Sequence, residues 1–217
     1  MTIRSTGGRI AAYAWLAFAV LNLADLAFGV TGRRHYTLTT ATIAVLLLLG
    51  CGIAYVIGLR PAILGDEQGV TVRNPLRDVR APWRAVREVQ GTHALTVRFA
   101  GPGGTELKTR AWVHQTSPRA QAKAEARARR DEGAKVPGAA LKGRTPAAYA
   151  AQQLNEIRDR QRSRARSGAP DRAAAAKAEQ DGAADATGTV SWSLPAVAAL
   201  AVPLVALVAL AIVAAVG

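Results

Sequence analysis

Three long apolar runs and one stretch of two-residue alternation divide the chain. The runs are Ile10 to Val30, Thr39 to Leu59 and Leu194 to Val216, built mainly from Ala, Leu, Val and Ile. At ~1.5 Å per residue, helices of this length cover about 30 Å, the thickness of a bilayer's hydrocarbon core. Each run is therefore predicted to be a membrane-spanning helix. The first two form a hairpin through the short loop Thr31 to Leu38. Tyr13 and Trp15, near the start of the first run, and Trp192, just before the third, belong at a membrane interface. Gly50, Gly52 and Gly58 let a neighbouring helix approach closely. A cleaved signal peptide is the rival for the first run, with Arg4 and Arg9 as its basic end. The run is long for that role, and no small-x-small cleavage site follows it cleanly.

From Arg60 to Trp112 the period becomes two. Val70, Val72 and Val79 alternate with Thr71, Arg73 and Arg80, and Leu95, Val97 and Phe99 alternate with Thr96 and Arg98. Val86 and Val89 flank charged residues. One buried and one wet face is the mark of an antiparallel sheet. Turn signals fall between the runs at Gly65–Gly69, Asn74-Pro75 and Gly101–Gly104. The pattern predicts six short strands in a small barrel or sandwich, with Trp83 and Trp112 in its core or on its rim. Beyond Trp112 the chain turns polar, basic and alanine-rich. Ser117-Pro118 reads as an N-cap and first residue of a helix. Gly133 to Gly143 breaks it, and Thr145-Pro146 opens a second helix through Gln161 with a thin apolar stripe of Tyr149, Leu154 and Ile157. Residues 167–190 are too poor in large apolar groups to fold alone and read as a linker.

The run GVTVRNPL followed by PWRAV, two further strands and a helix is similar to a family of small bacterial pleckstrin-homology-like domains. Gly69, Val70, Val72, Asn74, Pro75, Pro82, Trp83 and Val86 carry the resemblance, which covers roughly residues 60–131. The family is common in actinobacteria and usually sits beside transmembrane segments. The resemblance implies a partly open barrel capped by one C-terminal helix, the one opened by Ser117-Pro118. It does not imply a phosphoinositide pocket. In the eukaryotic relatives that pocket surrounds a basic first hairpin loop, whereas Gly65 to Gly69 carries Asp66 and Glu67. The expected architecture is thus an α+β membrane protein. It has a tail (1–9), a transmembrane hairpin (10–59), a PH-like domain (60–131), a basic helix and linker (132–193) and a last transmembrane helix (194–217).

Charge sets the orientation. The 217 residues have a formal net charge of +13, and residues 60–193 hold 24 basic and 14 acidic side chains. Arg60, Arg73, Arg77 and Arg80 follow the second span closely, so the positive-inside rule places residues 60–193 in the cytoplasm of a bacterial inner membrane. The N-terminus is then inside and the C-terminus outside. Arg33 and Arg34 in the outer loop run against this and are outweighed.

Four arginines, Arg73, Arg77, Arg80 and Arg84, form the candidate lipid- or partner-binding patch, with Arg87 close by. A solvated barrel face is the plainer reading. The sharper one sets the patch against anionic headgroups, where each basic group near the surface contributes ~1 kcal/mol. Asn22 and Asp25 interrupt the first span three residues apart on one helical face. They read as packing glue between helices, or as the polar pair of a small oligomeric transport subunit. Arg158 to Arg166 would serve a membrane-anchored nucleic-acid-binding protein, although few aromatics accompany it to stack bases.

Catalysis has little support. Ser, Cys and His do not occur in nucleophile spacing, and His35, His93 and His114 lack ligand neighbours for a metal. No Lys-Ser/Thr follows the glycines at 101–104 to complete a phosphate-binding loop. The single cysteine, Cys51, lies in an apolar run. The expectation is a non-enzyme without cofactor or metal. Its partners would be the membrane, anionic headgroups and an unidentified protein.

Overall fold

The computed structural model describes residues 1–30, 37–92, 94–113, 146–167 and 187–216. They form two compact units. The first comprises Met1–Arg4, Ala62–Asn74 and Asp78–Ser191, and the second Ser5–Pro61, Pro75–Arg77 and Trp192–Gly217.

The first unit is built on two antiparallel sheets. Strands β1 (Thr2–Ile3), β2 (Ala62–Gly65), β3 (Gly69–Arg73), β4 (Arg77–Pro82) and β8 (Thr189–Trp192) lie in the order β1-β2-β3-β4-β8. Strands β5 (Val86–Gly91), β6 (Leu95–Ala100) and β7 (Glu106–Arg110) form the second sheet in that order. The six strands expected between Arg60 and Trp112 are β2 to β7. The two flanking strands, β1 and β8, have no alternating apolar pattern to announce them. In β3 and β4, Val72 pairs with Val79 and Val70 with Ala81, all four buried, while Thr71 pairs with Arg80 on the opposite face. Val86 and Val89 are both buried although they are three apart. A register shift between Val86 and Glu88 returns both valines to the inner face, as a β-bulge does.

The core gathers Ile63, Val70, Val72, Val79, Trp83, Leu95, Val97 and Phe99 from the strands. It also takes Leu154, Ala150 and Ala151 from helix α3 (Pro146–Ser167). This helix starts at the expected proline and runs past Gln161. Its expected stripe divides: Leu154 is fully buried, Ile157 packs partly against the core and Tyr149 stays exposed. Gly91 is where α3 comes closest to β5, since a side chain there would strike the Ala147 carbonyl. Asn155 fastens the contact by donating from Nδ2 to the Val89 carbonyl at 3.1 Å. The capping helix expected after Ser117-Pro118 lies outside the described residues. The helix seen on the sheet is α3, which the sequence reading had assigned to a separate basic segment. The stretch read as linker ends in β8, where the Gly188 N–H donates to the Ala100 carbonyl at 2.7 Å.

The second unit contains three apolar helices long enough to cross a bilayer. They are α1 (Thr6–Phe28), α2 (Leu38–Ile53, continued by a π-helical segment Ala54–Leu59) and α4 (Leu194–Val216). Ser5 caps α1 by accepting from the Gly8 N–H, and Thr37 and Thr40 make a reciprocal capping box on α2. The expected glycines do bring helices together. A side chain at Gly58 would meet Ala12 and the Gly8 carbonyl, and one at Gly50 would enter the Trp15 indole. Trp15 therefore packs along α2. Gly52 faces the Ala199 carbonyl of α4. That carbonyl is four residues before Pro203, which has no N–H to donate to it. A glycine opposite brings a Cα–H within reach of the oxygen.

These contacts fix how the helices align. Gly8 sits by Gly58, so the start of α1 is level with the end of α2. Gly52 lies about 10 Å before the end of α2 and Ala199 about 8 Å after the start of α4, so those ends also coincide.

Candidate functional site

The β3–β4 hairpin carries three of the four candidate arginines at or near its strands, and the β4–β5 turn carries the fourth. Arg73 and Arg80 share the outer face. Arg73 is paired across the ladder with Asp78 and Arg80 with Thr71, which makes the two arginines diagonal neighbours. Both are exposed. Arg80 donates from Nη2 to the Gln68 side-chain carbonyl at 2.8 Å. Arg84 is exposed in the turn closed by the Ala85 N–H and the Pro82 carbonyl. Arg77 opens β4, and its guanidinium carbon lies 4.4 Å from the centre of the Trp192 ring.

A contrast separates these arginines from their neighbours. Arg87 reaches Glu106 at 3.4 Å, and Arg98 reaches Glu88 at 3.6 Å and Glu106 at 3.9 Å. Among the described residues, Arg73, Arg77, Arg80 and Arg84 make no such carboxylate pair. On β5–β7 the pairing covers Arg87 and Arg98 but not the exposed Lys108 and Arg110, and on β3–β4 Asp78 lies across the ladder from Arg73.

The first hairpin loop behaves differently. Asp66 Oδ1 accepts from the N–H groups of Gln68 and Gly69 at 2.9 and 2.8 Å. The Asp66 carbonyl accepts from the Trp83 indole at 2.9 Å. The carboxylate thus builds the turn, and Trp83 is a buried pin beneath it. Asn74 plays the matching role at the other end. It donates to the Arg110 carbonyl at 3.0 Å and accepts from the Trp112 N–H at 2.9 Å, tying the β3–β4 turn to the exit of β7. Trp112 itself stays on the rim.

The remaining candidates are dispersed. Asn22 donates to the Phe18 carbonyl at 2.7 Å, one turn back along α1. Asp25 sits in the same helix, and its backbone carbonyl accepts from Gly29. In α3, Arg158 pairs with Asp159 at 3.2 Å and Arg160 with Glu156 at 4.0 Å. The side chains of Arg162, Arg164 and Arg166, like His35, His93 and His114, lie outside the described residues. The loop at Gly101–Gly104 is the β6–β7 turn, with Gly103 and Gly104 at φ of 70° and 78°, where glycine avoids a steric penalty. The Arg77–Trp192 stack escaped the sequence reading, because nothing in the order of residues links position 77 with position 192.

Two antiparallel sheets with one helix packed on them are consistent with a PH-like fold, in a chain with apolar helices of membrane-spanning length before and after them. Residues 60–160 match the model of the family described as Bacterial PH domain. The match extends to α3, in keeping with the place of Leu154 in the core. No curated protein and no solved structure matches the chain.

Proposed function

We propose that this is a non-catalytic bacterial membrane protein that presents its PH-like domain at the cytoplasmic surface for interaction with a protein or an anionic lipid surface. One observation carries the reading: a stretch matching the bacterial PH domain family is continuous with apolar helices of membrane-spanning length. PH-like domains generally act by binding. Among the described residues Arg73, Arg80 and Arg84 make no ion pair with a carboxylate, which supports an anionic counterpart. The start of α1, the end of α2 and the start of α4 make one end of the helical unit, and Arg9 and Arg60 are at that end. This supports the same orientation by the positive-inside rule.

The test is a vesicle-binding assay on a fragment spanning residues 61–192, which retains α3 and β8. Binding to anionic vesicles should be weak, fade with added salt and be largely lost when Arg73, Arg80 and Arg84 are changed together to Gln. Equal binding to neutral and anionic vesicles would contradict the lipid branch. Co-purification of a protein from membranes, lost in the same triple variant, would then identify the face as a protein contact.

A further inference from the structure

The segment Pro75–Arg77 belongs to the helical unit. It is tied there at two points. Arg60, the residue after the π-helical end of α2, donates from Nη1 to the Pro75 carbonyl at 3.2 Å. The N–H of Ser193, at the head of α4, donates to the Leu76 carbonyl at 2.9 Å. Arg77 follows directly, with its guanidinium carbon over the Trp192 ring. Both residues are exposed, Trp192 by 58%, so the pair stands open to the surroundings.

The level of this pair along the helices follows from their lengths. The three apolar helices run 22 or 23 residues, which at ~1.5 Å per residue takes up the hydrocarbon core and brings their ends to the headgroups. Arg77 and Trp192 are at such an end. At the same end Arg9 lies 5.9 Å from the centre of the Tyr13 ring and donates from Nη2 to the Tyr13 hydroxyl at 3.5 Å. Two arginines backed by aromatic rings thus stand where phospholipid phosphates are found. Tryptophan and tyrosine favour that depth, and a stacked guanidinium is held in the planar orientation that phosphate oxygens accept.

Among the described residues of the helical unit the acidic side chain is Asp25, near the opposite end of α1, while Asp78, the residue after Arg77, belongs to the β unit. A zwitterionic headgroup brings its own ammonium, which Arg9, Arg60 and Arg77 repel. A net-negative headgroup meets an end where these three arginines outnumber Asp78. We infer that Arg77, stacked on Trp192 at the head of α4, is a binding site for the phosphate of an anionic phospholipid in the protein's own membrane. This deepens the proposed function by naming one lipid class and one site. It rests on the reading of these helices as membrane spans, and is independent of whether Arg73, Arg80 and Arg84 bind anything.

The experiment uses the full chain in detergent micelles, with phosphatidylglycerol as the probe. Retained lipid is counted by native mass spectrometry and affinity is read from the lipid-dependent shift of thermal unfolding. The full chain should bind phosphatidylglycerol in preference to phosphatidylcholine. Arg77→Gln should weaken this about five- to tenfold, the effect of one basic group near a charged lipid. Arg77→Lys keeps the charge but not the planar stack and should fall between the two. Trp192→Leu should also weaken binding while leaving the arginine in place, and serves if Arg77→Gln does not accumulate. The triple change of Arg73, Arg80 and Arg84 to Gln should leave this affinity intact, whatever it does to vesicle binding. An unchanged affinity in both Arg77→Gln and Trp192→Leu would overturn the assignment. So would equal binding of the two lipids, or an equal shift with soluble glycerol phosphate, which would point to a phosphate site without a membrane role.

Discussion

Arg98 and Phe99 are adjacent, yet they face opposite ways. Phe99 is fully buried among strand residues, and Arg98 lies outside between Glu88 and Glu106. Phe99→Ala is expected to destabilise the domain by ~3–5 kcal/mol, from lost burial and the cavity left behind. Arg98→Ala should change stability by ~1 kcal/mol or less, since exposed ion pairs contribute little. Chemical denaturation of the two variants checks this, and similar losses at both positions would mean that the β6 register is wrong. Such fates were legible in the sequence wherever strict alternation held. They were less legible at Val86 and Val89, whose odd spacing makes sense only with the bulge. The Arg77 stack was not legible at all, because its two members are brought together by the return of the chain at β8. Local charge balance was hidden for the same reason: Arg87 and Arg98 are neutralised by carboxylates from neighbouring strands.

Elements with strong periodicity were readable and weak ones were not. The three apolar helices and strands β2 to β7 fall within a few residues of expectation. Helix α3 was foreseen as a helix, but its place on the barrel was not. Its buried side is mostly alanine around a single leucine, a stripe too small to signal core contact on its own. Leu154→Ala should therefore cost about 2–5 kcal/mol, a core-sized effect; a loss below about 0.5 kcal/mol would mean that α3 does not complete the core. The helix contacts allow a further test. Gly52→Val places a branched side chain against the Ala199 carbonyl, and overpacking of this kind is expected to destabilise by ~1–3 kcal/mol. Its unfolding temperature in detergent should fall, whereas Gly7→Ala, at a position with open space around it, should leave it unchanged. Equal behaviour of the two would contradict the close approach of α2 and α4.

At the scale of the molecule, composition was the better guide. Segregation of apolar and charged residues announced helices long and apolar enough to cross a membrane beside a polar domain, and the resemblance to PH-like domains is matched by the family finding over residues 60–160. What the domain meets is a property of a surface and its partner, which no residue pattern encodes. The proposed function requires the domain and the arginine-bearing helix ends to share the cytoplasmic side. The direct measurement is single-cysteine labelling in intact cells with a membrane-impermeant maleimide, on a Cys51→Ala background. Thr105→Cys, in the exposed β6–β7 turn, should resist labelling until the cells are lysed, and Val30→Cys, beyond the far end of α1, should label at once. Labelling of Thr105→Cys in intact cells, with Val30→Cys protected, would put the domain outside and contradict the account.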